Sequence, residues 1–448
     1  MTLYSFAFSS TLYSNKMLRT FILVWILSAH KGTAGPLWNK YQQYLELDAV
    51  NNFREYVRID TSREENLKHA VEFWTRQATE VGLPYAVHKP AGRPIFVATL
   101  EGSDPTLPSI MLNSHMDVVA VDEREWLYPP FSAYMDANGD IFGRGTQDTK
   151  DVAIQYMEAI RRLKKGNVTL ARTIHVTVMS DEENGGKYGI KAFVKTPEFT
   201  SLNIGFALDE GLSSRDDSLF ATYVDRRPWQ MQFAVFGGGG HGMSMPENSA
   251  MEKAQKLINA IMAYRDTQKQ IMKTKNSSDL SDYTSVNINM INGGLAANII
   301  SSQMGLVVDM RLPTTADPQK VQALVNSWLD EAGNNTEVTY LRRETESGTT
   351  AVDDTNPYWV SMRNTFNTLG INVIPVVCPA TSDMLVLRNL GIPAIGFSTK
   401  VRTVPRLHDK NEYQNVETFL KGIDTYTELI KNLGNVPPEL PRKNDEKC

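Results

Sequence analysis

Three short apolar runs in this chain each stop at a cluster of acidic or histidine residues, and that repetition constrains the fold more than any other feature. Ile110-Met111-Leu112 stops at Ser114-His115-Met116-Asp117. The alternating Ile174, Val176 and Val178 stop at Asp181-Glu182-Glu183, and Gly205–Leu208 stops at Asp209-Glu210-Gly211. Runs of this length read as strands, and a helical stripe (Ala153, Tyr156, Met157, Ile160, Leu163) lies between the first two. Strands alternating with helices make an α/β sheet. In open α/β sheets, ligands sit outside the carboxyl ends of the strands, so the three clusters share one edge.

The rest of the chain fits around that sheet. Helical periodicity occupies Asp48 to Val81, a strand fits Phe96–Leu100, and the turn Gly143-Arg144-Gly145 delivers Asp148 to the start of a helix. Near Tyr223 the pattern changes. A strand (Trp229, Met231, Phe233, Val235), a helix over Ala250–Tyr264, strands at Val286–Met290 and Leu306–Met310, a helix at Val321–Leu329 and a strand at Val338–Leu341 follow. That order, β-α-β-β-α-β, is the ferredoxin-like sandwich, here inserted into the first domain. Between its first helix and second strand, the polar stretch Lys273–Asp282 reads as an exposed loop. The expected organisation is therefore a leader over residues 1–35, a catalytic α/β domain in two parts (36–222 and 346–436), an insertion over 223–345, and a charged tail over 437–448.

Composition removes several function classes. A net charge of -5 offers no basic footprint for nucleic acid, and two cysteines, Cys378 and Cys448, cannot build a disulfide framework. The run Gly237–Gly240 lacks the spacing and the lysine of a nucleotide loop. At the N-terminus, Lys16 and Arg19 precede the apolar Phe21–Leu27, and small residues follow at Gly32–Gly35. This describes a secretory signal, with Met17 as an alternative start, and its core is too short to span a bilayer. Secretion is the expectation, with a cytoplasmic location as the alternative. Sequons at Asn167, Asn276 and Asn334 permit glycosylation in the secretory route.

Six positions carry the chemistry: His115, Asp148, Glu182, Glu183, Glu210 and His408. Each alone is ordinary, since His-x-Asp is commonly a satisfied polar pair and Asp-Glu-Glu a solvated turn. Together at strand ends they supply what a two-metal hydrolase needs: imidazoles and carboxylates around two ions, one bridging carboxylate, and one carboxylate left to take a proton from water. Oxygen and nitrogen donors without cysteine suit zinc, and cobalt or manganese could occupy the same set. An extended chain puts His115 and Asp117 on one side, so that the carboxylate could hold the imidazole.

The motifs SHMD, GRGTQDTK, SDEENGG, ALDEG and LHDKNE resemble the di-zinc metallopeptidase family that includes the aminoacylases and the carboxypeptidase G type enzymes. They occur in order, separated by 33 residues from His115 to Asp148, 34 on to Glu182 and 27 from Glu183 to Glu210. The resemblance implies two zinc ions per subunit: His115 and Glu210 on one, Glu183 and His408 on the other, Asp148 bridging, Glu182 as general base and Asp117 orienting His115. It implies further that His241 reaches into the partner subunit's site in a homodimer, polarising the scissile carbonyl, and that Asn298 and Arg311 hold the substrate's carbonyl and free carboxylate. The implied reaction is hydrolysis of N-acyl-L-amino acids; the leader raises extracellular fatty-acyl conjugates as substrates. A dipeptidase or carboxypeptidase on the same fold, and a non-catalytic dimeric binding protein, are the alternatives. The chain departs from the aminoacylase pattern at Ser382-Asp383-Met384-Leu385, where polar or basic residues are expected after the aspartate, and in having a leader.

Overall fold

The computed structural model describes residues 40–274 and 282–438. The leader, Asn276, most of the expected loop after Lys273, and the tail from residue 439 lie outside the described residues.

The central sheet has eight strands, in the spatial order Tyr85–His88, Ile95–Leu100, Ile174–Met179, Ser109–His115, Ile204–Asp209, Ala394–Phe397, Leu219–Asp225, Val373–Cys378. Its middle four strands run parallel, because each connection crosses over a face of the sheet rather than turning back as a hairpin. Both faces are covered, so every residue of Ser109–His115 and Ile174–Met179 is buried. Alternation sorts their side chains between two cores. Ile110, Leu112, Ile174, Val176 and Val178 pack under the helices Asp48–Arg58, Leu67–Val81, Lys150–Lys165 and Val416–Leu433. Met111 and Met179 point to the opposite face, against Phe193, Met384 and Leu387. The helical stretch expected over residues 48–81 is two helices, broken by a short 3₁₀ turn at Glu64–Asn66.

The second sheet has four strands in the order Ser285–Gly293, Gln303–Leu312, Arg227–Phe236, Thr336–Arg343, all antiparallel. The helices Ala250–Thr274 and Pro318–Ala332 cover one face, around Trp229, Phe233, Leu257, Val308, Val325 and Trp328. This is the strand order of a ferredoxin-like sandwich, with both central strands formed by the longest apolar alternations. Tyr223, where the sequence pattern changes, lies in Leu219–Asp225 of the first sheet; the second sheet starts at Arg227. The passage between sheets is pinned by two buried arginines. Arg226 donates to the carbonyls of Tyr283 and Arg311 (both 2.6 Å), and Arg227 to those of Thr345 (2.8 Å) and Pro313 (3.0 Å). Among the described residues no helix is long and apolar enough to cross a membrane.

Candidate metal centre and active site

The parallel strands end where the sequence clusters begin. His115 is the last residue of its strand, Glu210 follows Ile204–Asp209 directly, and Glu182 and Glu183 follow Ile174–Met179. Asp148 stands two residues before the helix Lys150–Lys165, and His408 lies in the loop between Ala394–Phe397 and Tyr413–Asn415. These segments bring five side chains into two overlapping triads, His115–Asp148–Glu210 and Asp148–Glu183–His408, whose donor atoms lie within 4.8 Å of one another in each triad. His115 Nε2 is 3.1 Å from Asp148 Oδ1 and 3.5 Å from Glu210 Oε2. His408 Nε2 is 2.8 Å from Glu183 Oε2 and 3.4 Å from Asp148 Oδ2. Each oxygen of Asp148 thus faces one histidine.

The electrostatics of this cluster call for cations. Burial pushes the Glu182 and Glu210 carboxyls well above their ordinary values, reinforced by the charge of Glu210 on the first and of Asp148 on the second. Burial also raises Glu183, again with Asp148 adding to it. Asp148 resists the same burial because hydrogen bonds from His115 and His408 hold it well below the usual carboxylate range. His408 is raised to about 10 by its hydrogen bonds to Asp148 and Glu183. For His115, burial works against the charge, but Asp148 and Glu210 outweigh it and raise the imidazole. Like charges packed in low dielectric are costly unless compensated, and divalent ions at the two triads would favour the ionised carboxylates and neutral imidazoles. Buried Glu183 Oε1 has no hydrogen-bond partner among the described residues. A donor set of two imidazoles and three carboxylates, one of them shared, with one oxygen still unpartnered, fits a pair of divalent metals.

Asp117 meets His115, as expected, but with its carbonyl rather than its carboxylate. The strand ends at His115, and beyond it the chain bends, so the Asp117 carboxylate turns away to 3.9 Å from His115 Nδ1. The imidazole instead donates from Nδ1 to the Asp117 carbonyl at 2.8 Å, which leaves Nε2 to face Asp148 and Glu210. The Asp117 carboxylate accepts the backbone N–H groups of Glu182 and Glu183, both at 3.2 Å. It shapes the turn that carries Glu182 and Glu183.

A cavity of about 250 Å³ opens over the cluster, lined by Asp148, Glu182, Glu183, Glu210 and His408 on one side and by Gln230, Arg311 and Arg342 of the four-stranded sheet on the other. Arg311 is held by Asp309 (2.9 Å) and Thr381 Oγ1 (3.2 Å). Ser382 and Met384 line the cavity, whereas Leu385 is buried away from it. His241 and Asn298 are elsewhere. They are neighbours, since His241 pairs with Ile299 and the Gly242 N–H donates to the Asn298 carbonyl at 2.8 Å, but both are exposed and neither lines the cavity of their own chain.

Three further polar groups were not singled out from the sequence. Asn113 donates to Asp209 (3.1 Å) and Asp383 (3.2 Å), a buried acidic pair in which burial, with Asp209 beside it, raises Asp383 to about 8. Arg342 reaches the cavity at an irregularity of its strand and lies flat against Gly185, whose φ of 89° and missing side chain make the space. Glu412, the last residue of the LHDKNE motif, is wholly buried behind Asp148. Its place in the motif was the available signal.

Five candidate metal donors at the carboxyl edge, with a sixth carboxylate beside them and a cavity shared with the second sheet, fit a metal-dependent hydrolase. Residues 111–432 match Peptidase family M20/M25/M40, and the chain belongs to that family. It is 39% identical to aminoacylase-1 of Sus scrofa, over 88% of this chain and 97% of that protein. It is 37% identical to aminoacylase-1 of Homo sapiens over the same shares. Among solved structures, it resembles the M20 family metallo-carboxypeptidase Sso-CP2 from Sulfolobus solfataricus with a TM-score of 0.70, 18% identity and coverage of 87% and 99% of the two chains.

Proposed function

We propose that the chain hydrolyses the amide bond of N-acyl-L-amino acids, releasing a carboxylate and a free L-amino acid, with two zinc ions per subunit. One would be held by His115, Asp148 and Glu210, the other by Asp148, Glu183 and His408. The observation that carries this reading is Asp148 placed between two histidine–carboxylate sets, with Glu182 beside them facing a cavity. Zinc bound there supplies the Lewis acidity that makes water nucleophilic near neutral pH. Glu182 takes the proton of the attacking water and returns it to the leaving amine nitrogen. Arg311, oriented by Asp309 and Thr381, offers a planar donor pair to the substrate's free carboxylate, which selects for an unblocked α-carboxylate. Asp117 keeps Glu182 and Glu183 pointing their separate ways through its two backbone hydrogen bonds.

The active unit in this reading is a homodimer in which His241 of one protomer polarises the carbonyl in its partner's site and Asn298 accompanies it. The exposure of both residues away from their own cavity supports it, as do the bare methionines around them: Met243 is 86% and Met245 96% exposed. Secretion, and with it action on extracellular acyl amino acids, rests on the basic and apolar pattern of residues 16–35. The test is release of free amino acid from N-acetyl-methionine, an N-long-chain-acyl glutamine and an unblocked dipeptide, each with and without chelator. Chelator-sensitive cleavage of the acylated compounds is expected, and their ratio reads the acyl preference. Cleavage of the dipeptide alone would move the chain to the peptidases, and no cleavage by zinc-loaded protein would leave a binding protein.

A further inference from the structure

We infer that Glu412 is a positioning residue that clasps the Asp148 loop to the His408 loop, and that the metal position sharing Asp148, Glu183 and His408 depends on this clasp more than the other does. The inference rests on the two-metal reading above.

Glu412 is fully buried and spends both carboxylate oxygens on one loop. Oε1 accepts the backbone N–H groups of Gln147 (2.6 Å) and Asp148 (3.2 Å); Oε2 accepts that of Gly145 (3.1 Å) and the Arg144 guanidinium (2.8 Å). A carboxylate taking three backbone donors and an arginine fixes the path of that backbone, and here the path ends at the shared ligand. Gln147 closes the clasp from the opposite direction. Its Nε2 donates to the carbonyls of Val404 (3.1 Å) and Tyr413 (2.8 Å), and its Oε1 accepts the Arg406 N–H (3.0 Å). The Arg144 guanidinium also donates to the Asp409 carbonyl at 3.0 Å. Residues 144–148 and 404–413 are therefore tied on both sides of His408, although some 260 residues separate Asp148 from it in sequence.

The two metal positions differ in how they depend on this arrangement. His115 and Glu210 sit at the ends of neighbouring parallel strands, held by the sheet ladder itself. His408 has no strand behind it, its φ is 59°, and its side chain is 56% exposed. Its position relative to Asp148 comes from the clasp. Loosening Glu412 therefore removes two of the three ligands of one position from register, and only one of the other.

The experiment uses full-length protein stripped by chelator and titrated with zinc against a chromophoric competitor, for wild type, Glu412→Gln and Gln147→Ala. Wild type should take up two equivalents. Glu412→Gln, with wild-type circular dichroism, should bind one equivalent nearly as wild type and the other roughly ten- to a hundredfold more weakly, the usual effect of losing a group that supports a ligand. Its kcat should recover in excess zinc with KM unchanged, which a general loss of structure would not allow. Unaltered binding of both equivalents, or equal weakening of both, overturns the inference. If Glu412→Gln does not fold, Gln147→Ala decides: weaker binding of one equivalent is expected, and no change overturns the inference. Zinc uptake is read without substrate. A protein that binds as expected yet cleaves no acyl amino acid would sink the proposed function and leave this inference standing, whereas a wild type taking fewer than two equivalents would overturn the two-metal reading and this inference with it.

Discussion

The carboxyl edge of the eight-stranded sheet and the exposed turn at the end of the four-stranded sheet both carry a histidine and polar neighbours, yet they are built in opposite ways. At the edge, His115 is 1% exposed and faces Asp148 and Glu210. At the turn, His241 is exposed among bare methionines, with a 3.2 Å hydrogen bond from the Met243 N–H to its Nδ1. One region packs carboxylates and imidazoles together out of water; the other sets a histidine on an open surface. The contrast teaches that a histidine's surroundings decide what it can do: the buried one is poised beside carboxylates of its own chain, and in the proposed function the exposed one serves a second protomer.

The contrast can be broken most sharply at Glu182. Glu182→Gln should lower kcat by on the order of 10³-fold while zinc binding stays at the wild-type level, because a base is lost and no ligand is. Near-normal turnover would remove Glu182 from its role. His241→Ala should cost about 10²-fold in kcat, the scale of one lost oxyanion donor. Mixing it with Glu182→Gln and allowing subunits to reassort should restore activity that neither parent has; absence of any recovery would place His241 in its own chain's chemistry or in none. Arg311→Lys should raise KM about tenfold and leave kcat little changed, since a single ammonium replaces a fork that grips a carboxylate. A KM unchanged for acyl amino acids, measured beside one for an acyl amide lacking the carboxylate, would contradict that grip.

The smallest effect concerns stability and lies inside the sheet, away from the acidic cluster. Burial depresses His175 to about 4, and it stays neutral between Thr99 Oγ1 (3.0 Å) and the Leu202 carbonyl (3.2 Å). The unfolded chain takes up a proton near pH 6.5 that the folded chain refuses until about pH 4, so stability falls as pH drops through that window. The loss should reach on the order of 2–3 kcal/mol by pH 4, and His175→Gln should remove it from the difference between denaturation curves at pH 7 and pH 4. An identical acid slope in both proteins would refute the assignment.

How much could be read beforehand follows from what each feature depends on. Strand and helix periods are local, so the alternation in Trp229–Val235 and the stripe from Ala153 to Leu163 announce their elements directly. His115, Glu183 and Glu210 were legible because they sit at or just after strand ends, where position in sequence fixes position in space, whereas Asp148 and His408 were legible only through their motifs. Asp117 does hold the His115 imidazole, but through its carbonyl at 2.8 Å rather than its carboxylate, because the strand stops at His115 and a period of two no longer applies beyond it. Arg342 gave no sign, since its approach depends on a strand irregularity and on Gly185 in the other domain. Glu412 looked like one acidic residue among several; only the long-range return of the chain makes it the anchor of Asp148.

That return has a consequence for biogenesis. All four strands of the second sheet have been synthesised once Arg343 has emerged, whereas the first sheet still lacks Val373–Cys378 and Ala394–Phe397, and the cluster still lacks His408. Domains tend to fold as units during synthesis, so the inserted sandwich can be finished on the ribosome while its host remains open. The last piece of the cluster to arrive is His408, followed by Glu412 and the core helix Val416–Leu433. A nascent chain truncated before residue 404 would already carry His115, Asp148 and Glu210 but not His408, so the two triads become complete at different times, the second only once residue 408 has emerged.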